Sequence, residues 1–270
     1  MSKILLFDTD GTINSSTLSR KHTVHRINFR PIESIVQKDI RDNKAITTIY
    51  NSIRTNYSDF MMSFYGSGDF HHFTLFMLKY LAVKGKKFYL VMFDHHYDVG
   101  SFRLKHGNQM EYNFGSWMYS ALHMPECQGV VLVGPPEGWL WSRFQHVPYL
   151  KKNFNLHVVG EFEEDKIKKY QDYLDLIPDD CDIYLTVDKD ALLEEELVTD
   201  WDPGSLTVNE LFTMTQILID KFKKRIIGAD VCGDPRHVVW YKNHELRDIR
   251  RDHLLFNQRF IKLFNEFLGD

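Results

Sequence analysis

The chain has 270 residues, 43% of them apolar and 26% charged, a balance that excludes a disordered, collagen-like or coiled-coil protein and fits one or two domains. With 33 basic and 37 acidic residues the net charge is -4, so no broad nucleic-acid-binding surface is expected. Apolar runs long enough for a membrane span are absent, and Met1 leads into a short strand-like run rather than a signal-peptide core, so a cytoplasmic protein is expected. Cys127, Cys181 and Cys232 are too few and too scattered to suggest a disulfide framework or a thiolate metal site.

In chain order, strands are expected at Ile4–Phe7, Met61–Tyr65, Phe88–Phe93, Val130–Val133, His157–Val159, Ile183–Val187 and Arg225–Ala229. Most are unbroken apolar runs, as in a parallel sheet covered on both faces. Helices are expected at Phe73–Val83, which stops near Gly85, and at Glu161–Leu174, which carries acids first and lysines later. Another runs along the stripe from Val208 to Phe222, entered through the capping-box pair Thr207 and Glu210. A long C-terminal helix follows Leu246, Ile249, His253, Phe256, Phe260 and Leu263. Residues 15–59 are less legible, with partial helix after Pro31. Strand–helix alternation predicts a single α/β domain over residues 1–270, three-layered, with a mainly parallel sheet.

Three polar clusters fall at strand ends. Phe88–Phe93 runs into Asp94-His95-His96-Tyr97-Asp98, and alternate residues of an extended segment project to one side. Asp94, His96 and Asp98 therefore converge, as part of a shell for Mn, Zn or Fe. Asp188-Lys189-Asp190 repeats the spacing after Tyr184–Val187, and Gly66-Ser67-Gly68-Asp69-Phe70-His71-His72 places a turn and two histidines before a helix. Ligands of open α/β sheets bind outside the carboxyl ends of strands.

In order and spacing these clusters resemble the arginase/agmatinase (ureohydrolase) family, with its Gly-Gly-Asp-His, Asp-Ala-His-x-Asp and Ser-Phe-Asp-x-Asp motifs. Asp202-Pro203-Gly204-Ser205-Leu206-Thr207 with Glu210, and Ile227-Gly228-Ala229-Asp230-Val231, extend the likeness over about residues 60–235. The resemblance implies an arginase-like fold and two Mn2+ ions per chain. His71, Asp94, Asp98 and Asp188 would hold one ion; Asp94, His96, Asp188 and Asp190 would hold the other. His72 is the alternative to His71. The implied reaction is attack of a metal-bridging hydroxide on a planar carbon, cleaving a non-peptide C–N bond of a guanidino, amidine or amide compound. The implied partner is a small-molecule substrate, with neither nucleic acid nor membrane. Relatives often form trimers or hexamers, which leaves a homo-oligomer open.

The family pattern is broken in three places. Its proton-shuttling His-Gly is replaced by Phe114-Gly115, with His106-Gly107 nearby as the candidate substitute. Its guanidinium-binding glutamate after the last strand is replaced by Gly233, with Asp234 one residue on. The Asp-Pro after its second metal-binding strand is absent. Asp98 and His106 are thus the expected catalytic residues, and Asp234 and Trp117 the expected substrate contacts.

Two other readings stay open. Phe7-Asp8-Thr9-Asp10-Gly11-Thr12 resembles the opening of haloacid-dehalogenase-like phosphatases, with Asp8 as nucleophile and Asp10 as acid/base. Alternatively, the two residues simply close the first strand. A metal-binding arginase relative without catalysis is the third reading. The aromatic loop Glu137-Gly138-Trp139-Leu140-Trp141 is a candidate pocket lining, with packing under a loop as the favoured reading, and Arg236 and His237 after the last strand are candidates to face substrate. His253 is expected to be a core histidine.

Overall fold

The computed structural model describes residues 3–13, 23–37, 39–56, 62–100, 112–136, 147–236 and 246–268. Ten strands are found among them: β1 (Lys3–Asp8), β2 (Thr23–Asn28), β3 (Asp39–Ile40), β4 (Met62–Phe64), β5 (Phe88–Phe93), β6 (Tyr112–Asn113), β7 (Cys127–Val133), β8 (Leu156–Val159), β9 (Asp182–Asp188) and β10 (Ile226–Cys232). The helices are α1 (Glu33–Val36), α2 (Asn43–Asn56), α3 (Phe73–Val83), α4 (Trp117–Leu122), α5 (Val147–Asn153), α6 (Lys166–Leu174), α7 (Val208–Phe222) and α8 (Leu246–Leu268).

Eight strands form one sheet in the order β2-β1-β4-β10-β9-β5-β7-β8, and every pairing in it is parallel. The strands are apolar on both sides because both sides are covered. Leu5 and Phe7 of β1 face a layer containing Ile49 and Ile53 of α2, Phe76 of α3, Trp117 of α4 and Leu150 of α5. Ile4 and Leu6 face the opposite layer, with Tyr170 of α6, Leu211 and Leu218 of α7 and Phe260 of α8. β3 and β6 form a separate antiparallel pair.

The expected helices at Phe73–Val83 and Val208–Phe222 form with those bounds, the second through the Thr207–Glu210 capping box. α6 starts five residues later than expected. The Asp165 carboxylate accepts from the Lys168 backbone N–H and fixes the start there, leaving the acidic run outside the helix. β10 runs on to Cys232, three residues past the expected end.

Connections place the site. The chain leaves β5 toward β7 but leaves β9, its sheet neighbour, toward β10. Diverging connections from adjacent parallel strands open a crevice at their carboxyl ends. Asp94 follows β5, and Asp188 ends β9, at the mouth of this crevice.

Candidate metal centre

His71 stands two residues before α3, after the turn that follows β4. It is buried, and its Nδ1 forms no hydrogen bond although Asp94 Oδ2 lies 3.0 Å away, Asp98 Oδ2 3.3 Å and Asp188 Oδ2 3.6 Å. The other ring nitrogen explains the orientation. Thr186 has a single hydroxyl hydrogen and donates it to Asp230 Oδ1 at 2.5 Å, so its Oγ1 accepts from His71 Nε2–H at 2.9 Å. That leaves the Nδ1 lone pair aimed at three carboxylates, as a metal-ligating imidazole is held by a partner on its far side. Asp230 is itself fixed by the hydroxyls of Tyr65 and Tyr184 at 2.8 and 2.7 Å.

His96 faces the other end of the cluster. Its Nδ1 is 2.9 Å from Asp190 Oδ2 and 3.5 Å from Asp94 Oδ1, and its side chain is 36% exposed, so this end opens to solvent. Asp190 is held by the His95 N–H at 3.1 Å, and Asp188 Oδ1 accepts from the Asp190 N–H at 3.1 Å. Asp98 has φ +44, a left-handed backbone that Asp tolerates better than most residues. The indole N–H of Trp117 donates to Asp98 Oδ2 at 2.6 Å.

Ligand atoms of His71, Asp94 and Asp98 lie within 4.8 Å of one another, as do those of Asp94, His96 and Asp190 and those of His71, Asp188 and Cys232. The six residues named for metal from the motifs are thus brought together. Four carboxylates and two imidazoles, with a buried histidine nitrogen lacking a hydrogen bond among them, fit a pair of divalent cations.

Without cations the electrostatics are poor. Burial and the Asp94 charge push Asp98 up to about 6, and burial with the charges of Asp190 and Asp94 pushes Asp188 to about 7. Burial and the Asp94 charge raise Asp190 to about 6. Burial opposes charge on His96 and His71, yet the facing carboxylates raise His96 to about 12 and hold His71 well above its ordinary value. Burial also opposes charge on Asp94, but the positive charge facing it on His71 and His96 outweighs burial and keeps that carboxyl low. Protons gather where cations would neutralise the same charges.

Other expected residues are placed differently. His72 turns away: its Nε2 bonds the Val36 carbonyl at 2.9 Å, and burial lowers it to about 3, so His71 is the histidine of the cluster. Trp117 is buried against His71 and Asp98 instead of lining an open surface. Asp234 accepts from the buried Lys189 ammonium at 2.7 Å, and His253 Nδ1 lies 3.3 Å from the same ammonium. His253 is buried in α8 as expected, with a polar role added: its Nε2 bonds the Val198 carbonyl at 2.7 Å. Arg236 pairs with Glu33. His106, His237 and the 137–141 aromatic loop lie outside the described residues.

Asp8 is neutralised by Arg26 and by Arg30, whose Nε is 2.9 Å away, and is no free nucleophile. Asp10 accepts from the Thr12 hydroxyl at 2.7 Å and the Ser67 N–H at 3.2 Å, bracing the turn after β4. Both residues close the first strand.

Trp201 escaped the sequence reading. Its ring lies 6.0 Å from His96 and 4.9 Å from Phe114, an aromatic rim beside the solvent-facing end. A Cβ on Gly68 would stand 2.9 Å from its Cδ1 and 2.9 Å from Asp188 Oδ2, so glycine there admits both. Its place just before the Asp202-Pro203-Gly204 entry was the available signal.

The family model described as "Arginase family" matches residues 11–233. An uncharacterized protein of Thermotoga maritima is 29% identical over 185 residues, 68% of this chain and 62% of that protein, so the match leaves over a third of the relative uncovered. Arginase from Bacillus subtilis superposes with a TM-score of 0.62 at 15% identity, covering 100% of this chain and 99% of that one. Formimidoylglutamase from Bacillus subtilis subsp. subtilis str. 168 superposes with a TM-score of 0.68 at 15% identity, covering 99% and 88%.

Proposed function

Because the chain belongs to the arginase family, we propose that it is a metal-dependent hydrolase that cleaves a non-peptide C–N bond in a small guanidino, amidine or amide compound. The observation that carries this reading is the clustering of His71, Asp94, His96, Asp98, Asp188 and Asp190 in the β5/β9 crevice. Solved structures of like fold are named as an arginase, an agmatine ureohydrolase and a formimidoylglutamase, which supports the reaction class.

Two divalent cations would be held there. His71, Asp94, Asp98 and Asp188 serve one, and Asp94, His96, Asp188 and Asp190 the other, with Asp94 and Asp188 shared. The predominance of carboxylate oxygen favours Mn2+. Bound cations would supply an acidified water and electrostatic stabilisation of the tetrahedral intermediate. The chain's own groups do the rest. Asp98 is the proposed proton acceptor, oriented by the Trp117 N–H. His106 is the proposed proton carrier, since Phe114 stands where the family has its histidine. Asp234 and Trp117, expected as substrate contacts, act through Lys189 and Asp98 respectively. With Gly233 in place of the family's glutamate and Asp234 paired internally, an amidine or amide substrate fits better than a guanidinium, which needs a facing carboxylate.

Elemental mass spectrometry after Mn2+ supplementation tests the centre. About two metals per chain are expected, with both Asp94→Ala and Asp188→Ala depleted. Metal indifferent to both substitutions would overturn the reading. Phe114 and Gly233 favour one second reading, metal binding without catalysis. It is excluded by ammonia, urea or amine release from any guanidino, amidine or acyl-amine compound, provided the turnover is lost in Asp94→Ala.

A further inference from the structure

A thiol lies beside one of the two proposed cation positions. Cys232 ends β10 in register with Asp188 at the end of β9, so the two side chains leave neighbouring parallel strands at the same level. Its Sγ is fully buried and donates to Asp188 Oδ2 at 3.2 Å. The sulfur, an Asp188 oxygen and a His71 ring nitrogen lie within 4.8 Å of one another. Donor atoms around one cation stand roughly 3–4 Å apart, and the Cys232–Asp188 and His71–Asp188 separations of 3.2 and 3.6 Å already match, with Cys232 as a fifth donor beside Asp94 and Asp98. His71 Nδ1, buried and without a hydrogen bond, independently marks the place as one that wants a cation. The other two thiols have no such setting: Cys127 donates weakly to the Gly129 carbonyl at 3.7 Å, and Cys181 lies 4.0 Å from the Asp180 carboxylate beside it in sequence.

We propose that Cys232 is a thiolate donor to the cation held by His71 and Asp188, and that this position therefore takes zinc in preference to manganese. The position built from Asp94, His96 and Asp190 keeps a purely oxygen and nitrogen donor set. The proposal rests on the metal-centre reading above and makes its two halves chemically unequal. Binding exchanges the S–H bond for a sulfur–metal bond and releases one proton per chain to solvent. Thiolate favours zinc, whereas carboxylate suits manganese, so the thiol is the selecting element.

Cobalt(II) substitutes for zinc and reports a thiolate ligand by a charge-transfer band in the near ultraviolet. Metal-stripped full-length protein is loaded with Co2+, and bound cobalt is counted alongside the spectrum. The band is expected in the wild-type protein and in a Cys127→Ser/Cys181→Ser variant. In Cys232→Ser it is expected to vanish while cobalt stays bound. Zinc-over-manganese selectivity in that variant should fall by at least the roughly tenfold that loss of an outer-sphere partner already costs. Cobalt bound to the wild type without the band overturns the thiolate donor and leaves the metal centre standing. No cobalt bound, or cobalt unaffected by Asp94→Ala and Asp188→Ala, overturns both. The wild-type spectrum decides the matter even if Cys232→Ser fails to fold.

Discussion

At position 233 the backbone has φ +91, and a Cβ would stand 2.5 Å from Asp188 Oδ1 and 2.7 Å from the Lys189 nitrogen. The family's glutamate therefore cannot be restored by substitution alone. Gly233→Glu is expected to lose about 1–3 kcal/mol to backbone strain, and to displace Asp188. It should melt lower and bind less metal, with no gain of guanidino hydrolysis; a folded, metal-replete variant that cleaves a guanidino compound would refute this. The cluster itself gives a pH signature. Asp98, Asp188 and Asp190 are raised to about 6, 7 and 6, and His96 to about 12. A raised group stabilises the fold below its unfolded pKa, and that contribution is lost as pH rises through the folded value. The aspartates lose theirs between about pH 4 and 7, and His96 begins to lose its own above about 6.5. Asp94, shifted down, has its opposite contribution complete above about pH 4. Chelated protein is thus expected to lose melting temperature from pH 5 to pH 8, and manganese-loaded protein to be spared that loss. A chelated protein most stable at pH 8 would contradict the cluster's electrostatics.

Between β9 and α8 lies a buried charge that no motif announced. Lys189 has no exposed surface, donates to Asp234 after β10 and meets His253 of α8, with the Phe256 ring 5.4 Å from its Nζ. Lys189→Met strands the Asp234 carboxylate in the interior, at an expected cost of about 3–5 kcal/mol. Pairing it with Asp234→Leu should return much of that, as urea denaturation would show; a full loss in the double variant would mean that the triad is more than an internal charge pair. Lys189 and Asp190 open a short 3-10 turn after β9, in which Asp190 reaches the cluster and Lys189 reaches Asp234, so the acids were legible from their spacing and the partner of the lysine was not. The same logic governs the elements. β5 is buried throughout and β9 and α3 along most of their length, and their largely apolar runs gave them away. β2 was missed because it is an exposed edge strand, Thr23-Val24-His25-Arg26-Ile27-Asn28, paired along one side only. α2 falls in the segment read only as partial helix after Pro31, because just three of its fourteen residues, Ala45, Ile49 and Ile53, are buried and most of the others are polar. Spacing marked Asp94, His96, Asp98, Asp188 and Asp190, and the likeness to the family's motifs added His71, with His72 as its alternative. Neither showed the parts of Thr186, Asp230 and Trp201, because their roles depend on strands brought side by side by the fold.

The last strand among the described residues is a middle strand of the sheet. β10 pairs with β4 on one side, Ala229 opposite Met62, and with β9 on the other, Ala229 opposite Leu185. Without residues 226–232 the sheet would be left as two separate groups of strands, β2-β1-β4 and β9-β5-β7-β8, each with a bare inner edge. Such edges invite wrong pairing, so a holding chaperone has most to do before that strand is in place. All six candidate ligands precede residue 226, yet His71 belongs to one half and the aspartates and His96 to the other. A chain stopped after Arg225 is expected to carry every ligand and retain no metal, whereas the same chain supplemented with the missing segment in trans could regain it. Metal retention by the proposed centre would thus report that β10 has been threaded home between β4 and β9.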